Sequence, residues 1–414
     1  MLKLDAHGFS PALLEKILKM AGLAESFDAA AEALRSVGEI SISARTINQL
    51  SAQLGGEMAD DRDRYSQAYQ QQPLPRVPTK VDSPPRLAAV FCDGGRMRTR
   101  AAGSGHGIYQ PHWRETKNAA FHRMHSDSYA DDPQPFLPNC FRNQTYVEKL
   151  VLGLKKAKTQ QPELISASSK EPTSTVPEPA EEPTAWQPRT LVRTCISSLC
   201  SSDEFGPMMA AEADSRGFFA AEKRAFLGDG QKYNWSIQQR WFSGFTAVAD
   251  FIHVVEYVYD AAKALYEEPA ERWKQYVAWG QACWQGKVAT VIDDLAQRLS
   301  VLPLAESGGD TKRREAVQSA LTYLTNNRSR MDYPRYRREG LPVTSSLAES
   351  LVKQISKRVK GTEKFWDDGP RGEAILQIRA ACISQDDRLS RFIRSRPISP
   401  YSPRCRLHPP AAAP

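Results

Sequence analysis

The chain has 414 residues, 41% of them hydrophobic and 25% charged, with a formal net charge of +7. That is ordinary globular composition and enough length for two or three units, each with its own core. No apolar stretch reaches membrane-spanning length and the start, Met1-Leu2-Lys3-Leu4-Asp5-Ala6-His7, lacks the apolar core of a secretory signal, so a cytoplasmic protein is expected. The seven cysteines are odd in number and never spaced as C-x-x-C, which argues against a disulfide framework or a structural zinc site and predicts free thiols.

Three short helices open the chain. Ser10-Pro11 supplies an N-cap and a first-turn proline for Ala12 to Ala21, Ser26 precedes Phe27 to Val37, and Ser43 precedes Ala44 to Leu54, which Gly55-Gly56 closes. The layout is compatible with a helix-turn-helix whose recognition helix begins at Ala44, with Arg45 and Asn48 facing DNA; packing of a small helical bundle explains it as well. Gln70 to Pro85 reads as a Gln/Pro-rich linker.

Leu87 to Cys92 is an apolar run of buried-strand length that ends at Asp93, after which Gly94 and Gly95 free the backbone to turn or to admit a ligand. Arg96 to Arg100 and Trp113 to Phe121 then complete a predicted series of three strands joined by hairpin-like turns. Asn143 to Lys158 has helical periodicity. Thr159 to Pro188 turns to Pro, Glu, Ser and Thr and predicts disorder or a surface excursion. A helix over Met208 to Phe219 precedes a strand whose end, Phe226-Leu227-Gly228-Asp229-Gly230, repeats the design at Asp93; Phe245 to Asp250 is a further strand. From Phe251 to Thr325 the pattern is helical, and Trp273, Tyr276, Trp279 and Trp284 read as packing within an all-helical insertion. Glu349 then lies among helix formers after Ser345-Ser346, a pair able to cap a helix beginning near Leu347. From Ser350 to the end there are thirteen Lys or Arg against six Asp or Glu, so this part carries the whole positive excess and suits a polyanion such as nucleic acid, or else is a solvated basic tail.

Three strands, a helix, two strands, a helical insertion and a last acid on a helix make the order expected of an RNase H-like mixed α/β sheet with a small helical N-terminal domain. The predicted boundaries are an N-terminal DNA-binding-like domain over 1–69, a linker over 70–86, and the first part of the core over 87–158. An excursion over 159–190 separates it from the second part over 191–254. A helical insertion over 255–335, a catalytic helix region over 336–395 and a disordered tail over 396–414 complete the chain. Asp93, Asp229 and Glu349 form a trio of hard oxygen ligands of the type that holds two Mg²⁺ or Mn²⁺ ions while leaving positions for phosphate. Asp93 would bridge the ions.

Spacing supplies the supporting residues. Lys353, Lys357 and Lys360 share a helical face with Glu349, and Arg96, Arg98 and Arg100 alternate along one strand face near Asp93; either set would clamp phosphates or form a solvated face. His253 would hydrogen-bond near the metals or sit satisfied in the core, and Trp235 would stack on a base or, the reading favoured here, build core.

Taken in order, these residues resemble a known family. Asp93-Gly94-Gly95-Arg96, Trp113-Arg114-Glu115-Thr116-Lys117, Leu227-Gly228-Asp229-Gly230 with Asn234-Trp235, Asp250-Phe251-Ile252-His253, Arg330-Met331-Asp332-Tyr333-Pro334, and Gly340-Leu341-Pro342 leading to Glu349-Ser350 look like the DDE transposases of the ISKra-four group of bacterial insertion sequences. The resemblance runs from about Phe27 to Ser384. It implies a Mutator-like RNase H fold, a Mg²⁺-dependent site of Asp93, Asp229 and Glu349, double-stranded DNA as partner, and a homodimer on paired ends. Asp250 and His253 match a C/D-x-x-H element of the wider class. The chain reads Thr344-Ser345-Ser346 where many members have Gly-Ser-Gly, and its N-terminus is shorter than the family leads one to expect.

Two other classes fit less of the pattern. A transposase-derived DNA-binding protein without catalysis would keep the acids only as remnants. A glycosidase-like hydrolase needs a carboxylate pair but leaves the third acid, the glycine neighbours and the basic C-terminal part unexplained.

Overall fold

The computed structural model describes residues 8–100, 112–158, 186–302, 308–345, 351–361, 364–367 and 369–396. Helices α1 (Pro11–Leu23), α2 (Phe27–Ser36) and α3 (Ala44–Gln70) start where hydroxyl caps dictate: Ser10, Ser26 and Ser43 accept from the backbone N–H groups of Leu13, Ala29 and Thr46 at 3.3, 3.0 and 3.1 Å. Helix α3 does not stop at Gly55-Gly56. A Cβ on Gly55 would lie 2.4 Å from the carbonyl oxygen of Ala374, so this glycine lets another helix approach closely rather than ending its own.

The sheet is built from β1 (Leu87–Arg100), β2 (His112–His125), β3 (Arg189–Ser198), β4 (Lys223–Gly228) and β5 (Thr246–Ala249) in the order β3-β2-β1-β4-β5. β2 runs antiparallel to both β1 and β3, whereas β4 is parallel to β1 and β5 parallel to β4. The short β6 (Trp366–Asp367) pairs with the far end of β1. This corrects two expectations. Leu87 to Cys92 and Arg96 to Arg100 are one strand, because Gly94 and Gly95 stay in the ladder opposite Lys117 and Thr116. The third strand is Arg189–Ser198, which begins inside the expected excursion.

Between and after the strands lie α4 (Gln144–Lys158), α5 (Ser202–Ser215), α6 (Lys232–Trp241), α7 (Phe251–Leu265), α8 (Pro269–Trp284), α9 (Val288–Val301), α10 (Gly308–Asn327), α11 (Tyr333–Arg338), α12 (Leu351–Val359), α13 (Pro370–Ile383) and α14 (Arg388–Ser395). The pleat sorts side chains to two layers. Leu87, Ala89, Leu227 and Val248 meet α7, α8, α10 and α11 on one face, while Ala88, Val90 and Phe226 meet α5 and α6 on the other. Trp273 packs against the first of these cores, in which Tyr276, Trp279 and Trp284 are buried.

Helices α1 to α3 share their core with the C-terminal helices: Ile17, Leu18, Ile47 and Leu54 pack with Ile378, Ala381, Leu389 and Ile393. Buried Arg379 on α13 ties this assembly together by donating to the carbonyls of Gly22 and Gln354 at 2.9 and 2.6 Å. The six described cysteines are free, and no described helix is long and apolar enough to cross a membrane.

Candidate active site

Asp93 and Asp229 come together because their strands do. Cys92 on β1 is in register with Gly228 on the parallel β4, so the next residue along each delivers a carboxylate at the same level of the sheet, Asp93 within β1 and Asp229 just past the end of β4. Both acids line a small cavity of about 50 Å³, together with His122, Asp250, His253, Ser345 and Leu351. Asp93 Oδ1 accepts from the N–H of Gly94 at 2.7 Å. Burial and the adjacent Asp229 carboxylate push Asp93 up to about 7, against the opposing pull of His253.

Asp229 is held by α6, whose start follows directly. Asn234 donates to Asp229 Oδ1 at 2.7 Å, Gln231 donates through its backbone at 3.0 Å and through its side chain to Oδ2 at 2.8 Å. Asn234 is fully buried and also reaches the carbonyl of Cys92 at 3.4 Å, so it bridges the two acid-bearing strands.

Asp250 caps α7. Its Oδ1 accepts from the N–H groups of Ile252 and Ser345 at 3.1 and 3.3 Å, and its Oδ2 from the hydroxyl of Ser345 at 2.5 Å. His253, one turn on, is 3.3 Å from Glu256 through Nδ1. Burial pulls the imidazole down, but the bond to Glu256 and the charges of Asp250, Asp229 and Asp93 outweigh it and raise His253 to about 9. A cationic imidazole therefore faces the carboxylates.

Glu349 lies outside the described residues. The residues on either side do not: Ser345 and Leu351 both line the cavity with the two aspartates. Among the described residues, no group of three or more His, Cys, Asp or Glu side chains is arranged to hold a metal ion.

Arg96, Arg98 and Arg100 do not flank the acids as expected. Alternation along β1 sends them to the face opposite Asp93, with Met97 and Thr99 fully buried on the Asp93 side. Arg98 is instead sandwiched between Trp113 and Phe365, its guanidinium 5.2 and 4.6 Å from the ring centres. Lys353 and Lys357 are exposed on α12, and burial with the neighbouring Arg96 charge lowers Lys360. Trp235 is buried against Phe226; its indole N–H donates to Asn327 at 2.8 Å and the Arg330 guanidinium lies 4.4 Å from its ring centre. Arg45 is exposed at the start of α3, and Asn48 lines a separate, larger cavity.

Ser345, Gln231, Asn234 and His122 were not singled out from sequence as site residues. Asn234 and Ser345 stand inside quoted motifs, but only the fold reveals that their polar atoms point at Asp229 and Asp250.

His122 makes a pH prediction. It is 2% exposed, its edge meets the Phe91 ring, and its Nδ1 lies 3.0 Å from Thr190 Oγ1. Burial, then Arg193, lowers it to about 3. A histidine held neutral stabilises the fold above its ordinary value near 6.5 and loses that contribution as the pH falls below it, about 2 kcal/mol by pH 5. Between pH 7 and 5 the wild type should therefore lose stability that His122→Phe keeps, read from thermal melts of both; parallel curves would show that His122 is not the group responsible.

The chain matches no protein-family model, and no curated protein matches it.

Proposed function

We propose that this protein is a DNA strand-cleaving and strand-joining enzyme of the DDE transposase type, built on an RNase H-like core. The observation that carries the reading is the pair of part-buried carboxylates, Asp93 and Asp229, each one residue past the paired positions Cys92 and Gly228 of adjacent parallel strands, in a sheet of order β3-β2-β1-β4-β5. Two acids on neighbouring strands line one cavity, and burial together with the Asp229 charge displaces Asp93 upward.

The donor set fits a divalent ion. Carboxylate oxygens are the ligands of Mg²⁺ and Mn²⁺, and a cation between Asp93 and Asp229 would remove the repulsion that burial creates. Asp93, Asp229 and Glu349 are the proposed ligands for two ions. Such ions would supply an activated water or 3′-hydroxyl as nucleophile and stabilise the departing oxygen. The protein's part is positioning. Asn234 and Gln231 fix the orientation of Asp229, and Asp250 anchors Ser345, four positions before Glu349. His253 places positive charge toward the acids and would hold a phosphate oxygen or the acids themselves. The DNA partner is double-stranded element ends and target DNA, handled by a dimer on paired ends.

The test uses labelled duplex DNA taken from both flanks of the coding sequence, incubated with the full chain and Mg²⁺, Mn²⁺ or EDTA. Nicks that leave a 3′-hydroxyl and appear only with metal are expected. Binding without cleavage under every metal condition would instead favour a transposase-derived DNA-binding protein, and cleavage unaffected by EDTA would remove the metal mechanism.

A further inference from the structure

The larger cavity, about 350 Å³, lies away from the acids where α2, α3, α12, α13 and the β6 strand meet the far end of β1. Its described lining includes Arg100, Arg358, Lys364 and Arg371 together with Glu25 and Asp28.

Arg358 is the central group. It is 2% exposed, with its guanidinium 4.6 Å from the Phe27 ring centre and 5.1 Å from that of Trp366. Its Nε donates to the carbonyl of Ala21 at 2.7 Å and its Nη1 to that of Glu25 at 3.5 Å, but Nη2 has no hydrogen-bond partner among the described residues. Ser51, on the same lining and 2% exposed, has a hydroxyl in the same condition. Buried polar atoms are nearly always satisfied, so two orphans beside one cavity indicate a ligand that satisfies them. Burial and the nearby Arg379 charge lower Arg358 to about 10, a displacement that an anion would reverse. The aromatic residues Phe365 and Trp366 also line the cavity.

We propose that this cavity binds one nucleotide, with its phosphate between the guanidinium groups of Arg358 and Arg371 and its base against the rings of Phe365 and Trp366. Guanidinium forks match phosphate oxygens, and aromatic faces accept any base. The volume falls within the range of small-ligand sites. β1 runs from Asp93 to Arg100, a span of roughly 23 Å at about 3.3 Å per residue, so one strand connects the acids to this cavity. The choice of a DNA strand as the nucleotide's source rests on the recombinase reading; the chemistry of the cavity does not.

Fluorescence anisotropy with a fluorescein-labelled ten-residue oligothymidylate, in EDTA so that the metal site plays no part, tests the assignment on the full chain. Wild type should bind, and Phe365→Ala and Arg371→Gln should each weaken binding about tenfold or more with unchanged melting temperature. Competition by millimolar thymidine monophosphate would identify the free nucleotide as sufficient; no competition, with both variants still weakened, would assign the cavity to a nucleotide within a strand. Arg371 is exposed, so Arg371→Gln decides the matter if Phe365→Ala does not fold. Wild-type affinity in Arg371→Gln, or no binding of the oligomer by wild type, overturns the proposal.

Discussion

Asp93→Asn is expected to abolish metal-dependent DNA cleavage and, in metal-free buffer, to make the protein more stable. The first effect follows from its proposed place between the two ions. Loss of a residue that merely orients a metal ligand already costs about 10- to 100-fold, and loss of the ligand itself should exceed that. The second follows from charge. Burial and Asp229 raise Asp93 from an ordinary 3.8 to about 7. A carboxylate raised in this way contributes stability that is fully present below pH 4 and is lost as the pH rises through 7. At pH 8 the ionised, crowded acid therefore weakens the fold by about 2–4 kcal/mol, an upper range because ions and water relax the pair. Asparagine removes the charge and keeps the shape. In EDTA the melting temperature of the variant should exceed wild type by roughly 2–6 °C at pH 8, with the difference vanishing near pH 4. Magnesium should then raise the wild type and leave the variant unmoved. A variant less stable than wild type at pH 8 would mean that Asp93 holds the sheet together rather than storing repulsion for a cation.

Gly340→Ala is the second large effect, and it acts on the site through the backbone. Gly340 has φ +67°, and a Cβ there would lie 2.0 Å from the carbonyl oxygen of Asp127. The left-handed conformation alone costs a non-glycine residue about 1–2 kcal/mol, and contact with a backbone atom forces one of two packed segments to move. On one side stands buried Arg337, which donates to Asp132 at 2.7 Å and to the Trp284 carbonyl at 3.1 Å. On the other, Leu341 and Val343 are buried, the Val343 carbonyl accepts from Phe251 N–H at 3.0 Å, and Ser345 bonds Asp250. The turn thus sets where the chain leading to Glu349 meets the start of α7. A loss of at least about 3 kcal/mol in urea unfolding is expected, with cleavage reduced further than the folded fraction explains. A change below about 1 kcal/mol would show that the turn is not a fixed support of the site.

Much of the site could be read from local pattern, and much of the fold could not. Asp93 and Asp229 stood out because each ends an apolar run beside a glycine, and Asp250 because with His253 it matches a C/D-x-x-H element; those signals lie within a few residues of each other. Glycine defeats the same logic. Gly55-Gly56 and Gly94-Gly95 both resemble breaks, yet a Cβ on Gly55 would meet Ala374, and one on Gly95 would lie 2.7 Å from Thr116 Oγ1 and 3.2 Å from Val352. Whether glycine ends an element or admits a neighbour depends on a partner distant along the chain. The same holds for Arg96, Arg98 and Arg100. Their spacing was evident, but their face was set by one strand continuing through the glycines. The larger cavity joins Ser51, Arg100, Arg358 and Trp366, which no local window contains.

The most direct test of the central claim is anomalous diffraction from crystals of the wild-type protein soaked in Mn²⁺. The expected result is a manganese peak within about 2.0–2.2 Å of carboxylate oxygens of both Asp93 and Asp229, and no such peak in Asp229→Asn crystals. A saturating soak that leaves the space between those two carboxylates without a metal peak would contradict the account.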